Sequence, residues 1–436
     1  MPDQEIGVAV VANLDAVNPV VDRIAAYALD LVLASKNASP LPTRPVYAAV
    51  DSVTARAVDG AYGEDIELIE RNGELWLEKE PVRVAVRKDD NVFVTDGRLG
   101  HGYYFSVSND TLTSSDGRSG RRFTHRPMPP PAEQQGLIGE YGWDHNVLYV
   151  YESKGRLHAL IEWFFEYPLE RIADDLYRLP YNSLYAEETI RFVRDDNGRA
   201  TEANLEGIVF ERRNIEPEEG AVFKIIPQAP IDSLRRRAMA ATPPDEKGVF
   251  KDVDLVDLTS LDETIKLDIR YATRNNFMDE VFYTQARAFL QRPAAQALLS
   301  AHKSLNQLGY GLVVYDGYRP WYITKMFYDA TPDNLRHFVA NPANGSRHNR
   351  GCAVDIGLYY LSSGKIATSV SGYDEFTPRA YPDYPGGTSE ARYHRELLRD
   401  VMEEAGFTVY EAEWWHFDFK EWYHYPIVNR EFENLN

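Results

Sequence analysis

Apolar and polar positions alternate differently along three parts of the chain. The opening "IGVAVVAN" (6–13) reads as a strand. After it, Asn18 caps a helix with Pro19 in its first turn, and Val21, Ile24, Ala25, Ala28, Leu29 and Val32 recur at helical spacing. One strand and one helix cannot bury a core. From about Tyr47 to Arg213 the pattern shortens to alternating runs punctuated by turn signals, "ERNGELW", "RKDDNVFV", "SNDTLTSSDGR", "ESKGRLH" and "RDDNGRA". This is the signature of an antiparallel all-β barrel or sandwich. Residues 214–250, rich in charge, proline and small side chains, read as a linker. Beyond them a helical run, "RPAAQALLSAHKSLNQLG", sits among apolar strands "GLVVYDGYRP", "CAVDIGLYYL" and "EWWHFDF", which predicts an α+β domain. The expected organisation is multidomain: a strand-helix segment (1–40), a β domain (41–213), a linker (214–250) and an α+β domain (251–436).

Composition narrows the partners. The chain has 436 residues, 44% of them apolar, enough for two or three cores. A formal charge of -20 argues against nucleic acid and anionic membrane surfaces, which attract Lys/Arg excess. One cysteine excludes an internal disulfide and leaves the redox compartment open. The apolar run from Ile6 to Ala12 is too short and wrongly flanked for a signal peptide, and no apolar span reaches membrane length. The chain reads as cytoplasmic, with the periplasm equally compatible with its cysteine use.

The chemistry concentrates in "SRHNRGCAVDIGL" (346–358) and in "EWWHFDF" (413–419). A catalytic zinc takes three nitrogen or oxygen donors and keeps a position open. His348 and Asp355 offer two, His416 a third, and Glu413 stands near enough in sequence to handle a proton. Taken alone, a His/Asp pair seven positions apart is more often surface polarity. The full string Ser346, His348, Gly351, Ala353, Asp355 fits Ser-x-His-x-x-Gly-x-Ala-x-Asp. With "LDIRYATRNNF", "YDGYRPW", "GYDEF" and "EWWHF" in the same order, residues from about 250 to 430 resemble the zinc D-alanyl-D-alanine dipeptidases, the VanX-type branch of the M15 peptidases.

The resemblance implies one zinc per chain, with His348, Asp355 and His416 as ligands. It further implies Glu413 as catalytic base, Arg319 as stabiliser of the transition state, and Tyr271, Ser346 and Asp374 near the amino end of a small dipeptide substrate. Competing readings stand beside two of these roles: Arg319 as an ion-pair partner of Asp316, and Asp374 as the cap of a turn. On a regular strand Glu413 and His416 would face opposite sides, so a bulge or a late strand start is expected, with Trp414 and Trp415 divided between pocket wall and core. Alternation places Cys352 away from the donors, in a packing role. The rival functions are a carboxypeptidase or endopeptidase of the same family and a catalytically idle peptide-binding module.

Other signals are weak. "SAHK" (300–303) lacks the companion motifs of penicillin-recognising serine enzymes. Trp76 and Trp163 read as β-domain core residues. Residues 185–212 resemble the β-rich C-terminal domain of β-lactamase-like serine hydrolases, and residues 5–33 resemble the last strand and helix of their catalytic domain. No nucleophile accompanies them, so no activity transfers to residues 1–240. An apolar strand without its parent sheet needs cover. A homodimer in which residues 1–40 contribute to the interface would supply it.

Overall fold

A computed structural model describes the chain except residues 1–5, 14–17, 44–45, 63–65, 72–73, 78–81, 88–91, 97–100, 116, 124–126, 128, 154, 163–164, 181–184, 186, 216–221 and 436. Trp163 therefore lies outside the described residues. The chain divides into two compact units, one of residues 1–126 with 161–166, the other of residues 127–160 with 167–436.

In the first unit each turn signal has become a hairpin. Eight strands, from Gly60–Tyr62 through Ser119–Phe123, pair antiparallel with their sequence neighbours, and the last pairs with the first, Ala61 opposite Phe123 and Tyr62 opposite Arg122. The barrel is closed. A short additional strand, Tyr47–Ala49, also pairs with Val82–Arg87. Closure removes the open edges that a sandwich of this size would leave. Tyr62, Ile66, Leu68, Leu75, Val84, Phe93, Phe105 and Leu112 form a buried core, while Trp76 is only half-buried. The amino-terminal helix is present, Asn18–Lys36, with Ile24 and Val32 about half exposed. The strand expected at 6–13 is not: its described residues take no regular structure, and Val11 is almost fully exposed. The case for a dimer interface thus loses its unpaired strand.

The second unit holds more than the region after residue 250. The hairpin strands Gly139–Trp143 and Asn146–Ser153, strand Arg156–Ile161 up to Leu160, and a five-stranded sheet from Glu170–Ala173 to Ile208–Glu211 belong to it. The stretch expected as one β domain is therefore divided. The reason is visible at Glu152, whose fully buried carboxylate accepts from the Ser389 amide (2.8 Å) and hydroxyl at the start of helix Ser389–Glu404. Arg392 returns a bond to the Glu152 carbonyl (2.7 Å) and stacks on Tyr151. A carboxylate at a helix amino terminus satisfies otherwise orphaned amides.

The expected linker is likewise ordered structure beyond its undescribed portion. Helix Ile231–Ala240 buries Leu234 and Ala238 completely and packs on helix Trp321–Ala330. Glu246 then binds Arg350 (2.6 Å) and the Ile427 amide (2.6 Å). Charge-rich sequence here covers a narrow apolar stripe.

The sheet that carries the site runs in the order Lys266–Leu267, Tyr310–Asp316, Ala353–Tyr360, Glu413–Phe419, Phe407–Tyr410, antiparallel except for its first pair. Helix Arg292–Gln307, expected from sequence as a helical run and begun by Pro293, buries Ala294, Leu298, Ala301 and Leu305. The α+β expectation holds. Among the described residues no helix is long and apolar enough to cross a membrane.

Candidate active site

Register builds the site. An irregularity between Val314 and Asp316 places Asp316 opposite Asp355, and Asp355 is opposite His416 on the next strand. Three strands thus present Asp316, Asp355 and His416 in one row. His348 arrives from a tight turn, His348–Arg350, that ends at Gly351 with φ of 66°. A side chain there would be strained by that backbone and would collide with Leu255, so this turn requires glycine.

Glu413 reaches the same side through the expected irregularity. Val409 pairs with Phe417 but its neighbour Tyr410 pairs with Glu413, so Trp414, Trp415 and His416 bulge against a single step of the partner strand. The tryptophans do not divide as expected. Both are buried in the core, Trp414 donating to the Ser371 hydroxyl (2.8 Å), and neither lines the cavity. Cys352 packs as expected, fully buried, its thiol pushed by burial up to about 12.

His348, Asp355 and His416 converge. Asp355 Oδ1 lies 3.3 Å from His348 Nε2 and 3.0 Å from His416 Nδ1, and the two imidazole nitrogens are 3.1 Å apart. Asp355 Oδ1 is buried, yet it makes a well-aligned hydrogen bond to neither ring nor to any other described residue. An orphaned carboxylate oxygen facing two imidazole nitrogens is a donor set suited to a divalent transition metal, and zinc in particular takes such ligands with one position open. These three fit the ion implied by the sequence.

The atoms turned away from the centre are each held. His348 Nδ1 donates to the Gly317 carbonyl (2.7 Å), which leaves Nε2 for a ligand role. Tyr373 donates to Asp355 Oδ2 (2.8 Å). His416 Nε2 meets Asp418 Oδ1 at 3.0 Å. Asp418 is a residue the sequence reading missed; its only signal was its place two positions after His416, on the same face of the strand. Such partners orient ligands and raise their basicity.

Electrostatics follow from burial. Burial works against the His416 imidazolium, but Asp418 and Asp355 hold its pKa up at about 10. Burial also acts on Asp355, yet the two imidazoles keep its carboxyl well below the usual range. Glu413, whose Oε2 is 3.6 Å from His416 Nδ1, is raised by burial to about 7, despite the nearby His416.

Arg319 confirms the competing reading without losing the functional one. Its Nε and Nη2 both bind Asp316 Oδ2 at 2.8 Å, and Nη2 lies 3.7 Å from Asp355 Oδ2. The guanidinium is packed against the rings of Tyr271 and Phe327 and still borders the cavity. Asp316, also bonded by the Tyr283 hydroxyl, fixes the fork in place.

The cavity, about 240 Å³, is bordered by all eight residues singled out in the sequence. Asp374 sits at one part of its wall with φ of 57°, a conformation that β-carbon-bearing residues adopt at a cost. The Tyr271 hydroxyl bonds both its oxygens (3.0 and 2.8 Å). Burial, with the Asp355 charge adding to it, pushes the Asp374 carboxyl well above the ordinary range. Ser346 is buried beside them, and its hydroxyl accepts from the His348 amide (3.2 Å), so it shapes the ligand-bearing turn as well as the wall.

The family model for D-Ala-D-Ala dipeptidase matches residues 251–435. The chain is similar to the D-alanyl-D-alanine dipeptidase of Escherichia coli (strain K12), at 32% identity over 179 residues, covering 41% of this chain and 91% of that protein. It is similar to two others of that name: one from Enterococcus faecalis (strain ATCC 700802 / V583), at 34% identity over 172 residues, 35% of this chain and 85% of that protein, and one from Streptomyces coelicolor (strain ATCC BAA-471 / A3(2) / M145), at 31% over 175 residues, 36% and 87%. Each matched region covers most of the relative and less than half of this chain. Through residues 251–435 the chain belongs to the M15 peptidase family, and it is a peptidase.

Proposed function

We propose that this peptidase hydrolyses D-alanyl-D-alanine, or a closely related D-configured dipeptide, with one zinc ion held by His348, Asp355 and His416. The D configuration is carried over from the names of the relatives. The observation that supports a dipeptide is the Asp374–Tyr271 pair, a buried carboxylate on the wall of the cavity that also receives the three donors and Glu413.

Zinc, when bound, supplies Lewis acidity to the scissile carbonyl and to a water molecule. The chain supplies the rest. Glu413 accepts the proton of the attacking water and returns it to the leaving amine; a carboxylate poised near neutrality suits both transfers. Arg319, immobilised by Asp316 and by two rings, faces charge that develops on the attacked oxygen without having to reorganise. Asp374 receives the free ammonium of the substrate. A cation there relieves the cost of burying this carboxylate, and an extended or blocked amino terminus would leave it unpaired.

The test is cleavage of D-Ala-D-Ala against its N-acetyl derivative. The proposal expects turnover of the free dipeptide only. Efficient cleavage of the acetylated compound would favour a carboxypeptidase or endopeptidase.

A further inference from the structure

A free dipeptide carries charge at both ends, and the proposed role of Asp374 accounts for one. Among the described residues two arginines and no lysine border the cavity. Arg319 cannot serve a second anion well: its Nε and one terminal nitrogen are committed to Asp316, and its side chain is only 11% exposed. Arg347 differs on each count. No hydrogen bond from it is formed to a described residue, its buried Nε has no aligned partner, and its side chain is 41% exposed. Its nearest carboxylate oxygen, Asp418 Oδ2, lies 3.4 Å from Nε, and the guanidinium stacks on Trp422 with its carbon 4.9 Å from the ring centre. A stacked guanidinium is held as a plane while its terminal nitrogens stay available, the geometry that suits a two-point grip on a carboxylate.

The charge layout follows from these positions. Asp374 pairs with Tyr271 in the buried wall, whereas Arg347 stands beside Asp418, the carboxylate that meets His416 Nε2. An anion, a cation and the three donors thus border one cavity, as the two charged ends of a zwitterion require.

We propose that Arg347 is the specificity-determining residue for the carboxy terminus, binding the free carboxylate of the substrate and restricting the enzyme to dipeptides with both ends unblocked. This rests on the dipeptidase reading of the same site and extends it to the other end of the substrate. The alternative is that Arg347 only steadies Asp418 and, through it, His416.

The two are separated by comparing D-Ala-D-Ala with D-Ala-D-Ala amide on wild type, Arg347→Gln and Arg347→Lys, each with its zinc content measured. Loss of a charge-assisted hydrogen bond corresponds to roughly 10- to 100-fold in affinity. Wild type is expected to prefer the free acid by that factor in kcat/KM, mostly through KM. Arg347→Gln should lose the factor on the acid and little on the amide, and Arg347→Lys should recover part of the preference. An equal loss on both substrates would assign Arg347 to the support of His416 and overturn the inference while leaving the dipeptidase reading intact. So would a wild type indifferent to amidation, a result that needs no variant to fold. Wild-type cleavage of neither compound would instead sink the reading of the site itself.

Discussion

Replacing Asp418 by asparagine keeps the size of the side chain and removes one negative charge behind a proposed metal ligand. Asp418 Oδ1 is 3.0 Å from His416 Nε2, its side chain is only 13% exposed, and the residues opposite it on the two neighbouring strands are the small Ala353 and Thr408. The amide oxygen can still accept from the ring, so the bond changes from charge-assisted to neutral. That difference is about 1 to 1.5 kcal/mol, close to tenfold. Losing the anion that favours a more basic ring adds to it, and the total should fall within the roughly 10- to 100-fold seen when such outer partners are removed. The assay is equilibrium competition for zinc between the protein and a chromophoric chelator, with near-ultraviolet circular dichroism to confirm an unchanged fold. Zinc affinity within twofold of wild type would refute the reasoning, because His416 would then need no carboxylate to hold its orientation.

Other perturbations address the base, the packing and the barrel. Glu413→Gln should retain zinc and lose roughly 10²- to 10⁴-fold in turnover, as for a general base, while His348→Ala should lose the metal; metal analysis beside a rate assay reads both. Glu152→Ala removes the buried acceptor of the Ser389 and Gly155 amides and should destabilise the second unit by about 2 to 6 kcal/mol, at about 1 to 3 kcal/mol for each unsatisfied group; urea unfolding of the full chain measures it. In the barrel, burial raises Asp59 to about 6 from 3.8 in the unfolded chain. The folded state therefore holds this proton more tightly, and the stability it contributes is full below pH 4 and lost as pH rises through 6. Asp59→Asn should accordingly raise stability at pH 7 by up to about 3 kcal/mol and have little effect near pH 4. Calorimetry at the two pH values decides, and an equal shift at both would contradict the assignment.

The site was legible in sequence because its donors sit in dense local strings. "SRHNRGCAVDIGL" contains the turn, the glycine that the turn needs and the next donor on the strand. "EWWH" contains both the proposed base and the third candidate donor, although bringing them to one side took a bulge that the alternation rule could only demand. Asp418 was not legible, since an acid two positions beyond a histidine looks like any half-exposed strand residue until the register puts it behind the ring. Barrel closure depends on Tyr62 meeting Arg122, a pairing between distant strands that no local pattern contains. Helix Ile231–Ala240 was hidden because its buried stripe amounts to Leu234 and Ala238 among three arginines. The strand expected at 6–13 shows the converse: an apolar run becomes a strand only when a neighbouring strand pairs with it, and the described residues there belong to no strand.

The most direct test of the central claim is hydrolysis of D-Ala-D-Ala by the full chain before chelation, after exhaustive chelation, and after return of one equivalent of zinc. The account predicts about one zinc per chain in the active protein, loss of turnover on chelation and its recovery at one equivalent. Undiminished turnover of the metal-free protein would contradict it.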